Sequence, residues 1–233
     1  MTRTTNARIA GFTYLFYIAV AFPEMVLFRN ATSGEGTVAK LASVAQHATE
    51  LRVTVLLTML SSFSALVLAV TLYGITRDED RELAMLGFAC RVGEGLLYLI
   101  PLSTLGLLWL ATAAGPNAPD AAAAAALGNF LLNVAEWTTT STATLFAAGS
   151  TLFSYLLLRG RMIPVPLAWL GLAGSALLIV GLPLQLAEFV RGPITQLIWI
   201  PVGLFELTVA PWLLIKGVRA PATAGGNHPS QSP

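Results

Sequence analysis

The sequence predicts an all-α protein: a polytopic integral membrane bundle of six transmembrane helices, with one or two interfacial helices beside them. Three observations carry this prediction. Of the 233 residues, 55% are hydrophobic and only 11% are charged, where soluble domains carry roughly 25% charged residues. The mean hydropathy is +0.72. Apolar runs long enough to cross a bilayer, about 20 residues each, recur between short polar breaks. A net charge of +1, with no basic cluster interleaved with aromatic residues, excludes nucleic acid as a partner. The single cysteine, Cys90, allows no internal disulfide or cysteine metal cluster and reads as a small core residue.

In chain order, residues 1–8 form a polar arm with Arg3 and Arg8, and the apolar run from Ile9 to Phe28 is the first span. Pro23 and Glu24 interrupt its end and no small-residue cleavage site follows, which argues against a signal peptide. From Arg29 to Glu50 the chain is polar, with helical periodicity at Val38, Leu41, Val44 and Ala45, as in a short amphipathic helix at the interface. Leu51 to Ile75 is the second span, and RDEDRE from Arg77 is a solvated loop of mixed charge. An apolar run from Leu83 to Ala114 is the third span.

After the turn GPNAPD, the alanine tract from Ala121 to Ala126 is expected to lead, as an interfacial or re-entrant segment, into a fourth span from about Val134 to Leu158. The fifth span runs from about Pro164 to Phe189 and the sixth from Ile194 to Ile215, both carrying glycines and prolines of the kind that let membrane helices approach and bend. Residues 1–219 thus form a single transmembrane domain. The tail 220–233, rich in Pro, Ala, Gly and Ser, is expected to be disordered on the cytoplasmic side. Arg3, Arg8, Arg77, Arg81, Arg159, Arg161, Lys216 and Arg219 fall on one side against Arg29, Lys40, Arg52 and Arg191 on the other. The positive-inside rule then makes both termini cytoplasmic, in a bacterial inner membrane.

The chemistry lies in the charges inside these spans. Arg91 and Glu94 sit near the middle of the third, three residues apart and so on one helical face with Gly87, Tyr98 and Pro101 on or near the stripe. An unpaired ion at the bilayer centre costs at least about 3 kcal/mol, so this face must look into protein. At about 1.5 Å of rise per residue, Glu24, Glu136 and the hydroxyl run Thr138 to Thr142, which includes Thr140, lie in the outer half. Glu206 lies near the centre of the sixth span. The polar groups of the six helices share one layer, which implies a cavity opening outward or into the outer leaflet.

Within it, Glu24, Glu94, Glu136 and Glu206 face at most Arg52 and Arg91 as deep partners. Desolvation and like-charge repulsion both disfavour the charged form, so at least one carboxyl is expected to keep its proton and to serve as a Brønsted acid toward a lipophilic substrate. Trp137 and Trp199 are candidates to line the cavity, where aromatic faces stabilise a cation. The competing readings are structural: Arg91 with Glu94 as a packing device, Glu24 and Glu136 reaching interfacial water, and the tryptophans as belt residues. His47 has no second histidine at metal spacing, His228 being in the tail, and no metal ligand set is expected. No aspartate-rich diphosphate motif, phosphate loop, haem histidine pair or nucleophile elbow is present, so no cofactor is expected.

The segments ARIAGFTYLFYI from Ala7, AFPEMVLFR with Glu24, HATELR with His47 and Arg52, FACRVGEG with Arg91 and Glu94, SYLLLRGRMIP from Ser154 and FELTVAPWLLIKGV with Glu206 resemble the bacterial membrane-protein family catalogued as domain of unknown function 4386. The resemblance covers nearly the whole chain and implies a compact six-helix bacterial membrane protein without implying an activity. EWTTTSTAT from Glu136 departs from the family's usual glycine, histidine and aromatic stretch there, as if one wall had been specialised.

Together these readings favour a membrane-embedded enzyme, a metal-independent cyclase or isomerase acting on an isoprenoid or polyketide-like substrate. Its acid would be one of Glu24, Glu94, Glu136 and Glu206, with Arg91, Arg52, Tyr98, Trp137, Thr140 and Trp199 around the substrate. The alternatives are a proton-coupled small-molecule carrier, against which the lack of inverted repeats weighs, and a non-catalytic membrane partner subunit. The expected partners are a lipophilic small molecule and the bilayer, with oligomer formation left open.

Overall fold

A computed structural model describes residues 1–113 and 118–219. The tail 220–233, expected to be disordered, and residues 114–117 of the turn after the third span lie outside the described residues. Among the described residues there are nine helices and no strand: α1 (Arg3–Ala31), α2 (Gly36–Gln46), α3 (Ala48–Thr76), α4 (Arg81–Leu99), α5 (Leu102–Thr112), α6 (Ala121–Arg159), α7 (Val165–Leu186), α8 (Ile194–Leu197) and α9 (Ile200–Ile215). By length and apolar composition they make six membrane-spanning segments: α1, α3, α4 with α5, α6, α7, and α8 with α9.

Local chemistry starts several of them. The Thr2 hydroxyl accepts from Thr5 N–H, the Asp80 carboxylate from Leu83 N–H and the Asp120 carboxylate from Ala123 N–H, each satisfying an orphan donor of a first turn. The spans then close a ring in chain order, each packing on the next and α9 returning to α1. One end of the ring is tied by Arg3, whose Nε donates to Ile75 O at 2.7 Å, and by Arg219 N–H donating to Met162 O. At the same end Arg159 reaches both Glu79 (3.3 Å) and Asp80 (3.1 Å). The charge run from Arg77 therefore latches the α3–α4 loop to α6 as well as meeting solvent. Between the helices near this end, Tyr14, Leu72, Phe153, Leu156, Phe205 and Val209 form the main core.

Close approach of α1 and α9 depends on Gly11. A Cβ there would lie 2.5 Å from Leu214 N and 2.6 Å from Ala210 O, both backbone atoms that cannot swing aside. Gly11→Ala is therefore expected to cost about 1–3 kcal/mol by overpacking, seen as a lowered melting temperature in detergent. Gly203→Ala, with nothing within 4 Å of the new methyl, should leave stability unchanged or slightly raised.

Four elements differ from the sequence expectation. The third span is broken: Pro101 lacks an N–H and pushes Ile100 to φ −108°, ψ 89°, so α4 ends and α5 starts anew. The alanine tract is no separate lead-in but the first turns of α6, a continuous helix of 39 residues, about 58 Å long at 1.5 Å per residue and so longer than a bilayer is thick. Alanine is the best helix former, and nothing downstream interrupts it. The fifth span stops at Leu186, short of Phe189, and Glu188 takes a positive φ of 63° in the loop beyond. The sixth begins as the single turn α8 before α9. The amphipathic α2 forms as expected, but of its predicted stripe only Val44 is buried and Leu41 half-buried, while Val38 and Ala45 are exposed. Val44 packs with Ala31, Leu51 and Leu107 in a separate small core at the far end of the bundle.

Candidate functional site

Arg91 and Glu94 lie on α4, wholly enclosed at 0% and 3% exposure. Arg91 Nη1 and Glu94 Oε2 are 2.9 Å apart, as the three-residue spacing predicts. The contact is close but off-line: among the described residues neither these two atoms nor Arg91 Nε and Nη2 has an aligned hydrogen-bond partner. Gly149 on α6 leaves room for the arginine stem, since a Cβ there would come within 2.8 Å of Arg91 Cγ. The guanidinium carbon stands 4.9 Å from the centroid of the Phe146 ring, whose negative face suits a buried cation. Phe146 in turn stacks on Trp199 at 6.2 Å.

Glu206 of α9 and Tyr14 and Tyr17 of α1 lie within electrostatic range of the guanidinium. Glu206 is 9% exposed and its Oε1 has no hydrogen-bond partner among the described residues. Two carboxyls and one guanidinium thus share a buried centre, and a neutral centre requires one proton on the two glutamates.

Glu24 belongs elsewhere. It is buried between α1 and α3, its Oε1 2.8 Å from Thr58 Oγ1 and its Oε2 3.0 Å from Ser61 Oγ, with the Tyr98 hydroxyl of α4 against the same carboxyl. Glu136, Trp137 and Arg52 are exposed, apart from both clusters. The single polar layer inferred from depth is corrected accordingly: a residue at the right depth still faces outward if its side of the helix does. Thr140 is buried, but its hydroxyl donates to the Glu136 carbonyl of its own helix. Trp199 is 37% exposed and reaches the centre only through Phe146. His47 pairs through Nδ1 with Ser43 O at 2.9 Å, and Glu188 pairs with Arg191 in the exposed loop.

Two concavities on the surface, about 590 Å³ lined by Arg81, Glu82, Met85, Leu86 and Ala89 and about 330 Å³ lined by Tyr73, Arg77, Asp78 and Arg81, lie at the Arg3 end, and neither touches the ion pair. No group of three or more His, Cys, Asp or Glu able to hold a metal ion occurs among the described residues.

Sequence reasoning missed Phe146, Tyr14, Tyr17, Thr58 and Ser61. Four of these carried a signal in their spacing. Tyr14, Tyr17 and Glu24 lie on one stripe of α1, while Thr54, Thr58 and Ser61 make a polar stripe at i, i+4 and i+7 on α3. Phe146 carried none, because nothing local to α6 says that a cation from α4 will face it.

No curated protein and no solved structure matches the chain. A family model does match, over residues 9–217, which is most of the sequence, and the chain belongs to the family described as Domain of unknown function (DUF4386).

Proposed function

We propose that the protein is a membrane-embedded enzyme that cyclises or isomerises a lipophilic substrate, isoprenoid or polyketide-like, with Glu94 and Glu206 as acid and base. One observation supports this above the others. Arg91 is fully enclosed without an aligned hydrogen bond among the described residues, beside two carboxyls that share its field. Buried polar groups are almost always satisfied, and such exceptions collect at functional sites. A substrate oxygen or a developing anion would complete the guanidinium. Isomerisation needs a proton delivered to one atom and another removed elsewhere, and a protonated and an ionised glutamate in one centre do both without redox chemistry or a leaving group. Phe146 would stabilise positive charge in the same space. Since the centre is enclosed, a lipophilic substrate would reach it by parting neighbouring helices from the bilayer side.

The test is reconstitution in liposomes with lipophilic bacterial extracts. A cyclised or isomerised product appears as a new chromatographic peak at unchanged mass, lost in Glu206→Gln or Glu94→Gln. A second reading, carriage of a small solute coupled to protons, is favoured by the break at Ile100–Pro101, because discontinuous helices are common in secondary transporters. Solute or proton uptake into the same liposomes without a product would favour it.

The proposal also takes the membrane to be the bacterial cytoplasmic one, with the Arg3 end of the ring inside, from the basic residues gathered there. In a Cys90→Ala background, a cysteine at Asp78 is expected to be labelled by an impermeant reagent only from the cytoplasmic side, and one at Gly192 only from outside. The reverse pattern would invert the orientation.

A further inference from the structure

We infer that Glu24, Thr58, Ser61 and Tyr98 form a sodium site in which a proton competes for the same carboxyl. It lies apart from the Arg91 centre and does not rest on the activity proposed for that centre.

The first ground is charge. Glu24 is 6% exposed, and no salt bridge to it occurs among the described residues. The groups that face it are Thr58 and Ser61 from α3 and Tyr98 from α4. Of the charged groups on neighbouring elements, Glu94 of α4 and Glu206 of α9 belong to the Arg91 centre, and none pairs with Glu24 among the described residues. A carboxylate buried among neutral oxygens is not stable as a bare anion; it takes up a proton or a cation.

The second ground is the ring of hydroxyls. Thr58 Oγ1 stands 2.8 Å from Glu24 Oε1, which accepts its hydrogen, and Ser61 Oγ donates to Oε2 at 3.0 Å. Thr54 O lies 2.9 Å from Thr58 Oγ1 as a second acceptor. When a cation takes the charge of the carboxylate, Thr58 can turn its hydrogen to Thr54 O and its lone pairs to the ion.

The ligand chemistry selects the cation. Every donor is an oxygen, which suits hard ions, and a single carboxylate balances one positive charge, so a divalent ion would leave a buried excess. Five side-chain oxygens, two from Glu24 and one each from Thr58, Ser61 and Tyr98, suit the smaller shell of sodium better than the larger one of potassium. Backbone geometry assists. Tyr98 is in the last turn of α4, whose carbonyls and negative dipole end are left by the stop at Ile100–Pro101. Pro23 removes a rung of α1 just before Glu24. Glu24 is seven residues from the end of α1 at Ala31, about 10 Å at helical rise, so the route from water is short.

The test uses the purified full-length protein in detergent. Its melting temperature is compared in sodium, potassium and choline chloride at equal ionic strength, at acid and alkaline pH, with isothermal titration of sodium chloride. Sodium alone should raise the melting temperature at alkaline pH, the rise fading as the pH falls and protons take the site. Thr58→Val and Ser61→Ala should each weaken sodium binding roughly tenfold or more, the worth of a hydrogen bond to a charged group. Glu24→Gln, which mimics the neutral acid, should fold and lose the sodium response. If that variant fails to fold, the hydroxyl variants decide the matter. Identical melting in the three salts at every pH overturns the inference, as does a sodium response that survives Glu24→Gln or both hydroxyl changes.

Discussion

Arg91→Leu is expected to destabilise the protein by about 3–5 kcal/mol, the penalty for stranding a buried charge. The arginine is fully enclosed, and its removal leaves Glu94 and Glu206 without the one positive group in their centre. It also leaves the space beside Gly149 and the face of Phe146 without the group that fills them. The double variant Arg91→Leu with Glu94→Gln should recover much of the loss, because an apolar side chain beside a neutral amide carries no uncompensated charge. Unfolding in a denaturing detergent series measures both. If the single and double variants unfold alike, Arg91 and Glu94 do not depend on each other, and their 2.9 Å contact contributes nothing to the fold.

The second large effect is on turnover. Glutamine keeps the shape of glutamate and most of its hydrogen bonding but has no transferable proton. In the proposed enzyme, Glu206→Gln or Glu94→Gln should therefore lower activity by about 10²- to 10⁴-fold, the usual contribution of general acid–base catalysis, with folding retained. Glu206 ranks first because its Oε1 is buried without a partner among the described residues, whereas Glu94 also holds Arg91. Glu136, at an exposed position, ranks below both. Glu79→Gln, in the loop held by Arg159, should leave turnover unchanged. Full turnover in both Glu94→Gln and Glu206→Gln would remove the acid–base pair from the reading.

Much of the fold was legible because apolar length is a property of the chain alone. All six spans fall where hydropathy put them, although the helix of the fourth starts thirteen residues before the expected Val134. Errors arose where continuity of a helix was at stake. Pro101 was visible, but an unbroken apolar run reads as one span whether or not the proline stops it. The alanine tract was visible too, and its high propensity carried α6 straight through the position where a separate segment was expected. The candidate site was legible where it was local: Arg91 and Glu94 meet because residues three apart on a helix must.

The surplus of two deep carboxyls over guanidinium groups also survives, with different members. Arg52 and Glu136 leave the count together, so Glu24, Glu94 and Glu206 remain against Arg91. By itself the sequence determined membrane residence, six spans and one buried ion pair, since these follow from composition and from spacing along a single helix. Only the tertiary structure decided that Glu206 joins the pair, that Glu24 keeps its own company of hydroxyls and that Glu136 turns outward. Depth in a membrane is set by position along a helix, but the direction a side chain faces is set by rotation of the whole helix. That rotation is fixed by contacts such as Gly11 on Leu214 and Gly149 on Arg91, which join residues distant in the chain.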